Sequence, residues 1–411
     1  MIERGMGEQD PAAGAEPTPP GQAFRGNDTG RGRSPGSGIE IWVLLSHRAG
    51  EGQQMLGLAE ALERDYGWRV RVIAPGWTPI ANSLGLGRRI SLAGLRREDR
   101  RALGARSPDL LISAGLRNEP VVRWIARRSR KRTVTVMVGR TWAPPSAFDL
   151  VVTTPQYRLR PHPNVLENAG TLHRITPARL EAARTASEAE FGSTQGPRLG
   201  LLVGGDSGAL VLGTRSGRRL AERARSLAGA GTVLATTSSR TPASVSRALE
   251  QGLAGQDRIW RWQPEADNPY FAILAWSDAL LVTGDSIAMV SEAVATGRPV
   301  RIFDPGGLRP GRTVERDRSP RAAAYGLLAT FGPRRLSRDL TRVHEGLIGR
   351  GDVHWDDAAL NVGAEAWPPA PDHAPAATDR TGTAPDPIDE APDQVATTCL
   401  RVRSLVAMRR A

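Results

Sequence analysis

Short apolar runs alternate with amphipathic stretches along most of the chain. Ile39-Glu40-Ile41-Trp42-Val43-Leu44-Leu45 is nearly all apolar, which suits a parallel strand buried on both faces. A glycine-containing loop is expected from Ser46 to Gln53. Gln54 to Tyr66 then puts Leu58 and Leu62 on one stripe, the spacing of a helix with one inward face. Gly67 predicts its end. Trp68 to Ile73 reads as the next strand. Further strands are expected at Leu110–Ser113, Thr133–Val138 and Leu150–Thr153, with a helix at Asn118–Ser129. Strands alternating with helices predict an α/β fold with a parallel sheet covered on both faces.

A second series follows a charged helical stretch, Pro177–Phe191, and the turn Gly192–Pro197. Its strands are expected at Leu199–Val203, Thr232–Thr236, Ile259–Trp262, Ala279–Thr283 and Val300–Phe303. Its helices are expected at Gly213–Ala228, Pro242–Gly252, Tyr270–Trp276 and Ser286–Ala295. The pattern divides the chain into a first domain at 39–176, a linker at 177–197 and a second domain at 198–350. Residues 1–38 are rich in Gly, Pro and Ser with hardly any apolar periodicity, and they read as a loose tail. A loose Pro- and Ala-rich segment is expected at 351–394 and a helix at 395–411. Two such domains leave a cleft between them. Ligands of open parallel sheets bind beyond the carboxyl ends of the strands, so the strand-end loops are the places to look for chemistry.

Composition narrows the choice. The chain has 411 residues and a formal net charge of +12, which raises nucleic acid as a partner. Lys131 is the one lysine among 55 basic residues, however, and the arginines are spread along the whole chain without a basic–aromatic register. No specific nucleic-acid partner is therefore expected. Peripheral contact with an anionic membrane stays open. Cys399 is the only cysteine, which excludes an intrachain disulfide and a Cys-rich zinc site and points to a reducing compartment. The six histidines show no metal-ligand spacing, and no metal site is expected. Residues 1–38 lack a signal-peptide core, and no apolar run approaches the ~18 residues of a spanning helix. The expected location is cytoplasmic, soluble or peripheral to the inner membrane.

Three loops of the second series carry candidate chemistry. Thr283-Gly284-Asp285-Ser286 leads into a helix containing Glu292. A helix start offers free N–H groups and a favourable dipole to a phosphate. Gly284 would let a ligand approach, Ser286 would add a hydroxyl, and Glu292 would accept from a vicinal diol such as a ribose. Equally, Ser286 reads as a plain helix cap and Glu292 as a solvated residue. Asp285 opposes a phosphate unless its carboxylate turns away. Gly204-Gly205-Asp206 closes the first strand, and paired glycines allow a diphosphate close to the backbone. Ser238 and Arg240 lie in a hydroxyl-rich loop after the next strand, also suited to phosphate. In the first domain, His47 and Glu51 are candidate general bases, and Gly50 and Gln54 are acceptor-side residues. The same loop also reads as a polar turn without chemistry.

Together, GEGQQMLGLAEAL at Gly50–Leu62, Gly204-Gly205-Asp206, TTSSRTP at Thr236–Pro242 and the long segment Asn268–Pro299 resemble the mitochondrial fission, or elongated-mitochondria, family of glycosyltransferase-like proteins. The resemblance covers roughly residues 39–345. It implies a GT-B-like fold of two facing Rossmann-like domains, with Ser286 at the phosphate and Glu292 at the ribose of a nucleotide-sugar. Ser46, Arg48 and Glu51 stand where the family carries Asp, Lys and His, and Ser239 replaces a second Arg. The implied activity is inverting, metal-independent transfer of a sugar from a nucleotide-sugar donor to a lipid-linked or cell-envelope glycan, with no cofactor beyond that co-substrate. The alternatives are a non-catalytic membrane-associated adaptor and a nucleotide-sugar 2-epimerase.

Overall fold

A computed structural model describes residues 38–46, 48–78, 90–194, 196–253, 255–264, 268–309, 314–333, 336–356 and 393–411. His47, nearly all of the 1–38 tail and most of the 351–394 segment lie outside the described residues.

The first half contains β1 (Glu40–Leu44), α1 (Ala49–Tyr66), β2 (Arg69–Ile73), α2 (Arg97–Ala105), β3 (Leu110–Ala114), α3 (Glu119–Arg128), β4 (Val134–Val138), β5 (Leu150–Thr153) and β6 (Val165–Glu167). Its strands form one sheet in the order β2-β1-β3-β4-β5-β6, all parallel. The pleat sends alternate residues of β1 to opposite faces. Ile41 and Val43 join Leu58, Leu62, Ile112 and Val136 on one side, and Trp42 and Leu44 join Leu103, Leu111, Ile125 and Met137 on the other.

The second half contains α4 (Pro177–Ala186), α5 (Glu188–Phe191), β7 (Arg198–Val203), α6 (Thr214–Ala228), β8 (Thr232–Thr237), α7 (Ala243–Gly252), β9 (Arg258–Trp260), α8 (Tyr270–Trp276), β10 (Ala279–Thr283), α9 (Ile287–Val294), β11 (Val300–Phe303), α10 (Pro320–Phe331), α11 (Thr341–Gly349) and β12 (His354–Trp355). This sheet is also all parallel, in the order β12-β11-β10-β7-β8-β9. The final helix, α12 (Gln394–Arg410), returns to the first half, where Cys399, Val402 and Val406 complete its core. Burial there pushes the Cys399 thiol up to about 12, so it acts as a packing residue.

This is the α/β architecture of two Rossmann-like sheets that the alternating pattern predicts. Local signals account for several boundaries. Gly67 ends α1 in the left-handed region at φ 66, with its N–H on Glu63 O. Thr176 and Ser319 cap α4 and α10 through side-chain bonds, each with proline in the first turn. Other features depart from the expectation. α1 begins at Ala49, so Gly50 and Glu51 stand on a helix rather than in the expected Ser46–Gln53 loop. α2, β6, α10 and α11 were not expected, and β12 falls inside the segment expected to be loose.

Both sheets reverse their strand order beside the first strand, between β1 and β3 and between β7 and β10. These are the switch points where a crevice opens at the carboxyl edge. Direct bonds join the halves near those edges. Arg140 Nη1 donates to Ser337 O at 3.0 Å, Arg158 Nη2 to Ser337 Oγ at 2.6 Å, and Asp339 N to Gln156 O at 2.9 Å. Thr171 N donates to Ser291 Oγ on α9 at 2.9 Å.

Candidate functional site

The three second-half loops converge. Gly204 N donates to Thr283 Oγ1 at 2.8 Å, and Gly205 N to Asp285 Oδ2 at 2.8 Å. Arg240 donates through Nη1 to Asp206 O at 3.0 Å and through Nη2 to Asp285 Oδ2 at 3.2 Å. Ser238 Oγ accepts from Arg240 N, and Thr241 Oγ1 bonds Gly204 O. The paired glycines are sterically required. A Cβ on Gly204 would lie 2.3 Å from Asp285 Oδ2, and one on Gly205 would lie 2.0 Å from Arg240 O.

The place where these loops meet is already held by an anion. The buried Asp285 carboxylate takes the Gly205 N–H and the Arg240 guanidinium that the sequence assigned to a phosphate. Burial raises its pKa, against the lowering effect of Arg240 and the Gly205 bond. Its carboxylate therefore turns inward to the loops rather than away. Asp206 is likewise spent on its own loop, with Oδ1 accepting from Leu212 N at 3.0 Å.

Gly284 has a packing role. A Cβ there would lie 2.5 Å from Leu308 Cδ1, and its carbonyl accepts from His344 Nε2 at 2.7 Å. Burial takes His344 down to about 4, so it stays neutral in that bond.

Ser286 occupies the N-cap position of α9 without a side-chain cap bond, and Ser286 and Ile287 are both buried. Glu292, two turns on, is buried rather than solvated. Its Oε2 accepts from Tyr270 Oη at 2.5 Å. Burial raises its pKa to about 7, against the Tyr270 bond and the Arg174 charge. Tyr270 is itself pushed well up, first by burial and then by Glu292. The sequence reading used Tyr270 only as a helix start. Its position 22 residues before Glu292 gives no periodic cue that the two meet.

On the first sheet, Glu51 Oε2 accepts from Ser46 Oγ at 2.5 Å, and Oε1 pairs with Arg48 Nη1 at 3.5 Å. Gly115, after β3, sits at φ 80, where a Cβ would be 3.1 Å from both Glu51 Oε2 and Ser46 Oγ. Glu51 thus lies at the first switch point. Gln54 Nε2 donates to Gly50 O at 3.2 Å. Buried Asn118 fixes the end of β1 through bonds to Leu44 O and Leu45 O at 3.1 and 3.0 Å. Among the described residues, no three His, Cys, Asp or Glu side chains cluster as metal ligands.

Sequence reasoning also passed over the loop after β5. Thr153 ends a correctly expected strand and Thr154 and Gln156 follow it, which was the available signal. Together with Glu51, Gly139 and Thr171 they line a small pocket that opens to solvent.

Comparison with known proteins gives the chain a family. The family model described as mitochondrial fission ELM1 matches residues 49–326. The mitochondrial fission protein ELM1 of Arabidopsis thaliana is 28% identical over 218 residues, which is 47% of this chain and 51% of that protein's length. Among solved structures, the UDP-GlcNAc 2-epimerase from Neisseria meningitidis, bound to UDP-GlcNAc, is 11% identical with a TM-score of 0.43, covering 76% of this chain and 99% of the other. The catalytic domain of starch synthase IV from Arabidopsis thaliana, bound to ADP and acarbose, is 13% identical with a TM-score of 0.41, covering 77% and 97%. MurG from Acinetobacter baumannii is 12% identical with a TM-score of 0.40, covering 77% and 85%. The GT-B-like fold class rests on the strand order.

Proposed function

Because the chain belongs to the mitochondrial fission ELM1 family, with the two-sheet fold described above, we propose that it transfers a sugar from a nucleotide-sugar donor to a hydroxyl acceptor, with inversion and without a metal. One observation carries this reading: the uncapped start of α9 and the buried Glu292 lie on one helix at the switch point of the second sheet. The α9 amides hold the diphosphate, Arg240 exchanges its Asp285 partner for it, and Glu292 accepts from the ribose hydroxyls. Glu51 takes the proton of the acceptor hydroxyl. The acceptor oxygen bonds to the anomeric carbon, the bond from that carbon to the phosphate oxygen breaks, and the nucleoside diphosphate leaves with the electron pair. Its charge falls on preorganised donors.

Equilibrium binding of a panel of nucleoside diphosphates tests the donor site. Micromolar to millimolar binding that Glu292→Ala weakens is expected. Absence of binding by every nucleotide overturns the reading.

A membrane-associated adaptor remains the second reading, because α10 exposes Leu327 and Phe331 at 63% and 84%. Arg316 and Arg318 precede it in the chain and Arg321 lies in its first turn. Among the described residues no helix is long and apolar enough to cross a membrane, so contact through this face would be peripheral. Salt-sensitive flotation with anionic vesicles, without nucleotide affinity, favours the adaptor.

A further inference from the structure

The net charge of +12 is unevenly distributed. Residues 357–392, which join Asp356 to Asp393, carry seven acidic side chains and one arginine. The rest of the chain is therefore more basic than the whole. Its densest run of cations is Arg127-Arg128-Ser129-Arg130-Lys131-Arg132, the end of α3 and the turn into β4. Because β3 and β4 are parallel, this turn lies at the amino edge of the first sheet, away from the strand-end loops of the crevice.

All five cations are exposed. Elsewhere arginines are neutralised in pairs such as Arg174–Glu60 and Arg225–Asp257. The carboxylates of the amino edge are already taken: Asp109 pairs with Arg410, Asp149 with Arg409 and Glu40 with Arg106. None of the five cations of the turn makes an ion pair among the described residues. The backbone nevertheless holds them together. Arg130 and Lys131 sit at φ 52 and φ 62, a region that favours glycine. Lys131 N donates to Ala126 O at 2.8 Å, and Ser129 Oγ accepts from Thr133 N at 3.2 Å. Five like charges fixed in one turn repel one another and call for an anion.

The acidic segment is the anion within reach. It ends at Asp393, where α12 begins, and α12 runs 17 residues, about 25 Å, to bring Arg409 onto the Lys131 carbonyl. Residues 357–392 extend to about 120 Å, enough to reach the turn from Asp393 and still span to Asp356. A tethered polyanion acts at an effective concentration on the order of millimolar, which any free anionic partner has to exceed.

We propose that the turn 127–132 is the docking surface of the chain's own acidic segment, residues 357–392, which shields it from other phosphate-bearing partners. This inference is independent of the glycosyl-transfer reading.

Lys131 makes the test specific, since it is the one lysine of the chain. Carbodiimide cross-linking of the full chain joins its amine to a carboxylate in direct contact, and mass spectrometry of the digest identifies the partner. A cross-link from Lys131 to an acid of 357–392 is expected at low salt, and its loss at about 1 M salt. No such cross-link, or links only to carboxylates outside the segment, overturns the proposal. An equal mixture of isotope-labelled and unlabelled chain identifies the source. Mixed-mass pairs mean that a second copy supplies the segment, which also overturns it.

A variant with the seven acids changed to Asn or Gln gives an independent readout, once a thermal melt shows it folded. It should bind heparin and anionic vesicles about tenfold more tightly than the wild type. Arg127→Gln, Arg128→Gln, Arg130→Gln and Arg132→Gln, added together, should cancel that gain. Equal binding by wild type and variant overturns the proposal. So does a gain that survives the loss of the four arginines, because it then reflects overall charge rather than the turn.

Discussion

The carboxyl edges of the two sheets solve one problem in opposite ways. Each edge gathers loops whose polar groups lose water. The second sheet answers with an internal anion: Asp285 ties Gly205 and Arg240 together, and the glycines leave no space between them. The first sheet leaves Thr153, Gln156 and Thr171 unanswered around a cavity. One edge is closed by its own charge and the other is open by its neutrality. Polar residues at strand ends therefore do not by themselves mark a ligand site.

The largest expected effect concerns Glu292, a buried carboxylate of the second edge. Glu292 keeps its proton up to about pH 7 in the folded chain, against an ordinary value of 4.5. The folded state thus binds more protons between those values, and stability falls as pH rises from 4.5 to 7 and then levels. Glu292→Gln removes this fall. Melts at pH 5 and pH 8 should show the variant gaining on the wild type by up to about 3 kcal/mol at the higher pH.

Next is the internal anion. Asp285→Ala leaves the Gly205 N–H and the partly exposed Arg240 without their partner, and chemical denaturation should show a loss of about 2 kcal/mol. Asp285→Asn keeps the shape and removes the charge. It should strengthen diphosphate binding about tenfold, because a negative group no longer competes for Arg240.

The open edge should respond in the opposite sense. Thr153→Val and Thr171→Val replace unsatisfied hydroxyls with methyl groups, and each should raise stability by about 1 kcal/mol in denaturant titrations. Destabilisation by either would erase the contrast between the edges.

The smallest effect tests a glycine. A Cβ on Gly50 would meet open space within the first turn of α1. Gly50→Ala should stabilise by about 0.5 kcal/mol, measured by thermal melt, with no change in nucleotide affinity.

The strands were legible because parallel strands buried on both faces must be nearly continuous apolar runs, as at Leu199–Val203 and Ala279–Thr283. From them followed the two sheets and the loops at their ends. The start of α1 was obscured because Gly50 and Gly52 have low helix propensity, although both lie within its first turn. β12, at two residues, has no period to read. The convergence of Gly205, Arg240 and Ser286 follows from topology. The inward turn of the Asp285 carboxylate does not, since it depends on which donors neighbouring loops present. Tyr270 against Glu292 and Thr171 against Ser291 are long-range meetings that no local pattern encodes.

A crystal soaked with the tightest-binding nucleoside diphosphate of that panel tests the donor site most directly. The diphosphate should lie on the amides of Ile287–Met289 within reach of Arg240, with a ribose hydroxyl on Glu292. A diphosphate bound away from α9, with Glu292 untouched, would contradict the account.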